Sequence, residues 1–145
     1  MTFLTSSDKE TENIGQALAK ALVRDGIIRA FIAMRGEMGV GKTAFVRGFA
    51  SQFGISGVKS PTYTVVNEYN GEHRIFHFDM YRITDEDDLY SIGYDDYVER
   101  DGFCIAEWSE NIEDMLPSDA ITVCISRTDS ECGRRIDIEY DNISL

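Results

Sequence analysis

Lysine is scarce in this 145-residue sequence. Only Lys9, Lys20, Lys42 and Lys59 occur, and with the arginines they make 14 basic residues against 26 acidic ones. The resulting formal net charge of −12 repels phosphate backbones, so the chain is not expected to bind nucleic acid by itself. Cysteine is sparse too. Cys104, Cys124 and Cys132 are odd in number and lack CxxC spacing. That argues against a disulfide framework or a structural zinc site and reads as reduced thiols in a cytoplasmic protein. The two histidines, His73 and His77, are too few and badly spaced for a metal centre. No apolar run approaches about 18 residues, so no membrane span is expected. Residues 1–8 lack a basic region followed by an apolar stretch, so no secretory signal is expected either. There is no internal repeat, low-complexity tract or Pro/Gly/Ser linker, and the length suits one domain over residues 1–145.

What is present is an ordinary core. Hydrophobic residues make up 43% and charged residues 28%, which is too rich in core for a disordered chain. Ser7 with Glu10 forms a capping box, and Ile14, Ala17, Leu18, Ala21 and Leu22 give one helical face that ends near Gly26. Residues 27–34 read as a buried strand, 36–43 as a glycine-rich loop, and 43–53 as a helix closed by Gly54. Two strands, 63–69 and 72–81, flank Asn70-Gly71, the preferred dipeptide of a two-residue type I′ hairpin. The acidic stretch 84–100 is expected to hold two short helices separated by Gly93. Residues 103–107, 121–125 and 135–140 read as strands. The pattern describes an α/β protein with a mixed central sheet flanked by helices.

Gly36-Glu37-Met38-Gly39-Val40-Gly41-Lys42-Thr43 matches GxxxxGK[ST] at every fixed position and lies between a predicted strand and a predicted helix. Glycines let successive backbone N–H groups turn inward around phosphate oxygens, and the following helix N-terminus adds positive potential. Lys42 is then expected at the β/γ-phosphates and the Thr43 hydroxyl on Mg²⁺. Such a loop indicates a nucleoside triphosphate without naming the base. No lysine is followed two residues later by aspartate, so the guanine-reading [NT]KxD element is missing.

A phosphate loop of this kind also needs an acidic residue at the end of an apolar strand. Asp79 follows Ile75-Phe76-His77-Phe78, and Glu107 follows Phe103-Cys104-Ile105-Ala106. Both are candidates for Mg²⁺ or its water shell, though each also reads as an ordinary surface acid. Lys59 precedes a turn, Ser60-Pro61-Thr62-Tyr63-Thr64, that could present Thr62 to Mg²⁺ or the γ-phosphate as switch loops do.

Together these segments resemble the TsaE (YjeE-type) family, P-loop ATPases of bacterial tRNA threonylcarbamoyladenosine synthesis. GEMGVGKT (36–43), SPTYT (60–64), HFDMYR (77–82) and EWS (107–109) run in the family's order. Leu89-Tyr90-Ser91-Ile92-Gly93 with Asp95-Asp96-Tyr97 and the pair Gly133-Arg134 add to the likeness, which covers nearly the whole chain. Glu37 and Val40 depart from the usual Asp and Ala at wildcard positions of the loop. The resemblance implies an ATPase with an unusual strand order that acts on the TsaD and TsaB subunits. Those subunits attach threonylcarbamoyl to adenosine 37 of tRNAs reading ANN codons. In that scheme the protein resets the partner complex between turnovers and meets tRNA only through it. It also implies ATP and Mg²⁺ as ligands, with Thr43, Asp79 and Glu107 at the metal and Lys42, Asp79, Glu107 and Thr62 in hydrolysis.

Several roles stay open at this level. Trp108 fits a packed aromatic as well as a residue that orders Glu107 or meets the partner. Arg82 fits an ion pair with a local acid or a charge-stabilising role; Arg47 and Arg100 are further arginines of that kind. His77 reads as a packing or hydrogen-bonding residue. Arg134 and the segment around Thr11 are candidates for the adenine end of the site. The competing functions are a small-molecule kinase and a nucleotide-gated binding module with negligible turnover.

Overall fold

The computed structural model describes residues 1–37, 39–59 and 65–140. Met38 and the SPTYT segment, Thr62 included, lie outside the described residues. The chain runs β1 (Thr2–Thr5), α1 (Asp8–Arg24), β2 (Arg29–Arg35), α2 (Lys42–Ser51), β3 (Val66–Asn70), β4 (Arg74–Asp79), α3 (Glu86–Ser91), α4 (Tyr94–Glu99), β5 (Gly102–Glu107), a 3₁₀ segment Ser109–Met115, β6 (Ile121–Arg127) and β7 (Arg134–Glu139). One mixed sheet takes the order β1-β7-β6-β2-β5-β4-β3. Its centre is parallel, with β2 between β5 and β6 and β4 beside β5. Antiparallel pairs close both sides.

Each face of the sheet carries its own core. Ile32, Met34, Ile75, Phe103 and Ile105 meet Leu18, Leu22, Phe45 and Phe49 beneath α1 and α2. The alternate residues Phe31, Ala33, Phe76, Phe78, Cys104 and Ala106 meet Leu89 and Tyr94 of the short helices on the other face. This period-two division of strands buried on both sides is what a parallel centre requires. The two long helices approach closely because glycines face each other's backbones. A Cβ on Gly15 would run into the Phe45 carbonyl, and one on Gly48 into that of Glu12.

Helix α1 starts as its sequence foretells, with the Glu10 amide donating to Ser7 Oγ at 3.1 Å. The reciprocal half of the cap shifts by one residue: the Glu10 carboxylate accepts from the Ser6 amide at 2.6 Å. The acidic stretch does form two short helices about Gly93, whose φ is +78°. Part of its charge is structural, since Asp85 Oδ1 accepts from the Asp88 amide while Asp88 Oδ2 accepts from the Thr84 amide and hydroxyl.

The hairpin differs from expectation. Asn70 pairs with Arg74, so the connection is Gly71-Glu72-His73, and neither Asn70 nor Gly71 has the positive φ of a type I′ turn. Packing against Phe53, two residues past the end of α2, overrides the local preference. The Glu72 amide donates to the Phe53 carbonyl at 3.1 Å, and the His73 ring lies 4.9 Å from that of Phe53. Two elements carry no sequence signal of their own. β1 is four residues long and is held by β7, and the 3₁₀ segment is tied down by Ser109 Oγ donating to the Met34 carbonyl at 3.0 Å.

Candidate functional site

Strands β2, β4 and β5 are parallel, so their carboxyl ends deliver Arg35, Asp79 and Glu107 to one edge of the sheet. Ligands of open α/β sheets bind outside that edge. There the chain turns from β2 through the glycine loop into α2. Gly36, Gly39 and Gly41 have φ of +145°, +75° and +114°, values that L side chains avoid. A Cβ on Gly36 would also meet the Ile125 carbonyl oxygen at 2.5 Å. Between these glycines the Val40 side chain is buried in the core under α1 and α2, anchoring the loop, while Glu37 is exposed. From behind, Arg134 Nε donates to the Val40 carbonyl at 2.8 Å. Its bond to the loop therefore runs through the main chain.

Lys42, the first residue of α2, is only 5% exposed. Its ammonium donates to the Gly36 carbonyl at 2.8 Å and lies 4.6 Å from the Trp108 ring centroid. A buried ammonium with three donors is costly unless they are satisfied. Gly36 is its one hydrogen-bond acceptor among the described residues. Three positive-φ glycines, one of which has no room for a Cβ, together with an ammonium short of acceptors, suit phosphate oxygens.

The carboxylates converge as well. Asp79 and Glu107 are directly paired across β4 and β5, on strands about 4.8 Å apart. Asp79 Oδ1 accepts from the Tyr81 amide at 2.9 Å, which leaves hard oxygen donors at the strand end, the kind Mg²⁺ takes. Glu107 is 7% exposed, and its Oε2 lies 2.7 Å from Nε2 of the fully buried His77. A cleft of about 530 Å³ is lined by Lys42, Thr43, Asp79, Glu107, Trp108 and Tyr81, among others.

Of the sequence-predicted residues, the loop, Thr43, Asp79 and Glu107 thus come together. Arg47 and Arg82 line the same cleft, while Arg100 stacks on Tyr97, 5.0 Å from its ring centroid, before the amino end of β5. Arg47 pairs with Glu12 at 3.1 Å. Arg82 has no ion pair among the described residues, contrary to the pairing with a local acid that its surroundings suggest. Thr11 is buried and shares a hydrogen bond with Thr5, so the N-terminal contribution to the cleft comes from Asp8 instead. Tyr81, which by sequence fits a packed aromatic as well as a functional residue, also lines the cleft, with its ring 5.1 Å from that of Trp108.

A strand, a glycine loop with its buried lysine, a helix, and two acids at neighbouring strand ends define an α/β protein of the P-loop type. The chain belongs to the TsaE family: the model described as threonylcarbamoyl adenosine biosynthesis protein TsaE matches residues 5–136. It is 37% identical over 125 residues to the tRNA threonylcarbamoyladenosine biosynthesis protein TsaE of Bacillus subtilis, covering 85% of this chain and 75% of that one. With the protein of the same name from Haemophilus influenzae it shares 40% identity over 118 residues, 79% and 75% of the two chains. The crystal structure of Bacillus subtilis YdiB superimposes with a TM-score of 0.76 at 29% identity, covering 94% of this chain and 82% of that one.

Proposed function

We propose that this protein serves threonylcarbamoyladenosine synthesis in the cytoplasm as its Mg²⁺-dependent ATPase. It acts on a TsaD–TsaB complex and resets it between turnovers. The observation that carries this reading is the convergence of Lys42, Thr43, Asp79 and Glu107 on one cleft, in a member of the TsaE family. The net charge of −12 supports a component that meets tRNA through its partners.

In this reading the main chain of residues 36–43 binds the phosphates, and the Lys42 ammonium exchanges the Gly36 carbonyl for phosphate oxygens. Thr43 and Asp79 hold Mg²⁺, with Glu107 at the metal or its water shell; the ion, when bound, offsets the negative charge that builds up during phosphoryl transfer. Glu107 orients the attacking water through its carboxylate and receives that water's hydrogen bond. Thr62, outside the described residues, completes the catalytic set in the switch loop. Arg134 keeps the loop in register by its bond to Val40.

The test is a reconstituted modification assay with TsaD–TsaB, a threonylcarbamoyl donor, tRNA and ATP. With this protein present, modified tRNA is expected to accumulate over many rounds; without it, accumulation stops after the first. Equal yields in both arms would refute the reading.

A further inference from the structure

We propose that His77 is a positioning residue that fixes the Glu107 carboxylate at the edge of the cleft. This inference rests on the reading of Glu107 given above. His77 sits in the middle of β4, between Asn67 of β3 and Ile105 of β5. Its ring is fully buried. Nε2 lies 2.7 Å from Glu107 Oε2, and a carboxylate can only accept, so the hydrogen of this bond belongs to Nε2. The other ring nitrogen, Nδ1, is buried with no hydrogen-bond partner among the described residues.

A leucine here would fill similar space and leave no orphaned nitrogen. Among the described residues the imidazole's one hydrogen-bond contact is Glu107, so that contact is the reason for a polar residue in this place. Glu107 needs such an anchor. It is the last residue of β5, and the next residue, Trp108, turns away with φ of +58°. A glutamate carboxylate at a strand end has three side-chain torsions to settle. Pinning Oε2 from beneath selects one arrangement and leaves the remaining oxygen to the cleft that Glu107 lines. Groups that orient a reacting carboxylate or a metal ligand in this way commonly matter by about 10- to 100-fold.

The experiment compares His77→Leu, which keeps bulk and removes the donor, with His77→Gln, which retains an N–H at similar reach. Each is made in wild type and in Glu107→Gln. His77→Leu is expected to lower kcat for ATP hydrolysis on the order of 10-fold, with KM for MgATP within about threefold. His77→Gln is expected to restore most of that loss, and His77→Leu to add nothing in the Glu107→Gln background. Equal losses for Leu and Gln, or additive losses in the double variant, would overturn the inference. Should His77→Leu not fold, His77→Asn, too short to reach Glu107, takes its place. A crystal structure of the variant decides independently of turnover. A displaced Glu107 carboxylate supports the role of His77, and an unmoved one rejects it. If the wild type hydrolyses no ATP, the catalytic reading of Glu107 fails by itself, and this structure still settles whether His77 positions the carboxylate.

Discussion

The Lys42 ammonium rests against the indole of Trp108, 4.6 Å from its centroid, while donating to the Gly36 carbonyl. Cation and ring attract through the quadrupole of the aromatic face. Trp108 is the sole tryptophan, so tryptophan emission comes from this site alone. Phosphates that draw Lys42 away are expected to change the emission on titration with MgADP or MgATP. Lys42→Ala should lose that response while keeping the circular dichroism of the folded protein. An unresponsive wild-type spectrum under saturating nucleotide would contradict the placement of phosphate at Lys42.

Removing either strand-end carboxylate is expected to cut ATP hydrolysis by about 10²-fold or more. The reason is their pairing across β4 and β5 at the mouth of the phosphate loop. Asp79→Asn should also raise the Mg²⁺ concentration needed for nucleotide binding, whereas Glu107→Gln should retain binding. Steady-state rates with calorimetric titrations separate the two. Wild-type activity in Glu107→Gln would remove that residue from the mechanism.

Much of this site was legible in the sequence, because its parts are local. The loop motif fixes glycines and lysine by spacing, and each acid follows an apolar strand. The pairing of Asp79 with Glu107 was not legible, since it depends on β4 and β5 being neighbours although the chain between them forms two helices. The contact between His77 and Glu107 crosses the same strand pair, so no local pattern could show it. The hairpin failed for a related reason: Asn70-Gly71 has the composition of a tight turn, but Phe53, just past the end of α2, holds Glu72 and His73 and widens it. β1 is too short to stand out and exists because β7 offers an edge.

The three thiols should react very unequally. Burial pushes the Cys104 thiol up to about 12, and the thiolate is the reactive form. At pH 8 in the native protein, Cys132, which is exposed, is expected to be alkylated first and Cys104 to stay unmodified until the chain unfolds. Mass spectrometry of peptides after timed labelling checks this. Early modification of Cys104 would show that its strand opens in the native state.

Acid should act on the cap of α3. Hydrogen bonds from the Thr84 amide and hydroxyl hold the Asp88 carboxyl below its ordinary 3.8. Because the folded value is depressed, this stabilisation is complete above the unfolded value and is lost as pH falls through the folded one. Asp88→Asn is therefore expected to be less stable than wild type at pH 7, with the gap closing toward pH 3. Thermal midpoints across that range test the sign. A gap that stays constant with pH would show that the Asp88 charge plays no part.

In the proposed function this cleft hydrolyses ATP, and hydrolysis is coupled to the partner complex. Of the arginines at the cleft, Arg47 is already paired with Glu12 and Arg82 is exposed, so a slow intrinsic rate is expected until docking orders the site. The most direct measurement is the ATP hydrolysis rate of the purified protein alone, with the TsaD–TsaB complex, and with the same complex and Lys42→Ala. A slow basal rate, a clear rise with the complex, and no hydrolysis above background for Lys42→Ala are expected. A folded Lys42→Ala protein as active as wild type, or a rate that the complex leaves unchanged, would contradict the proposed function.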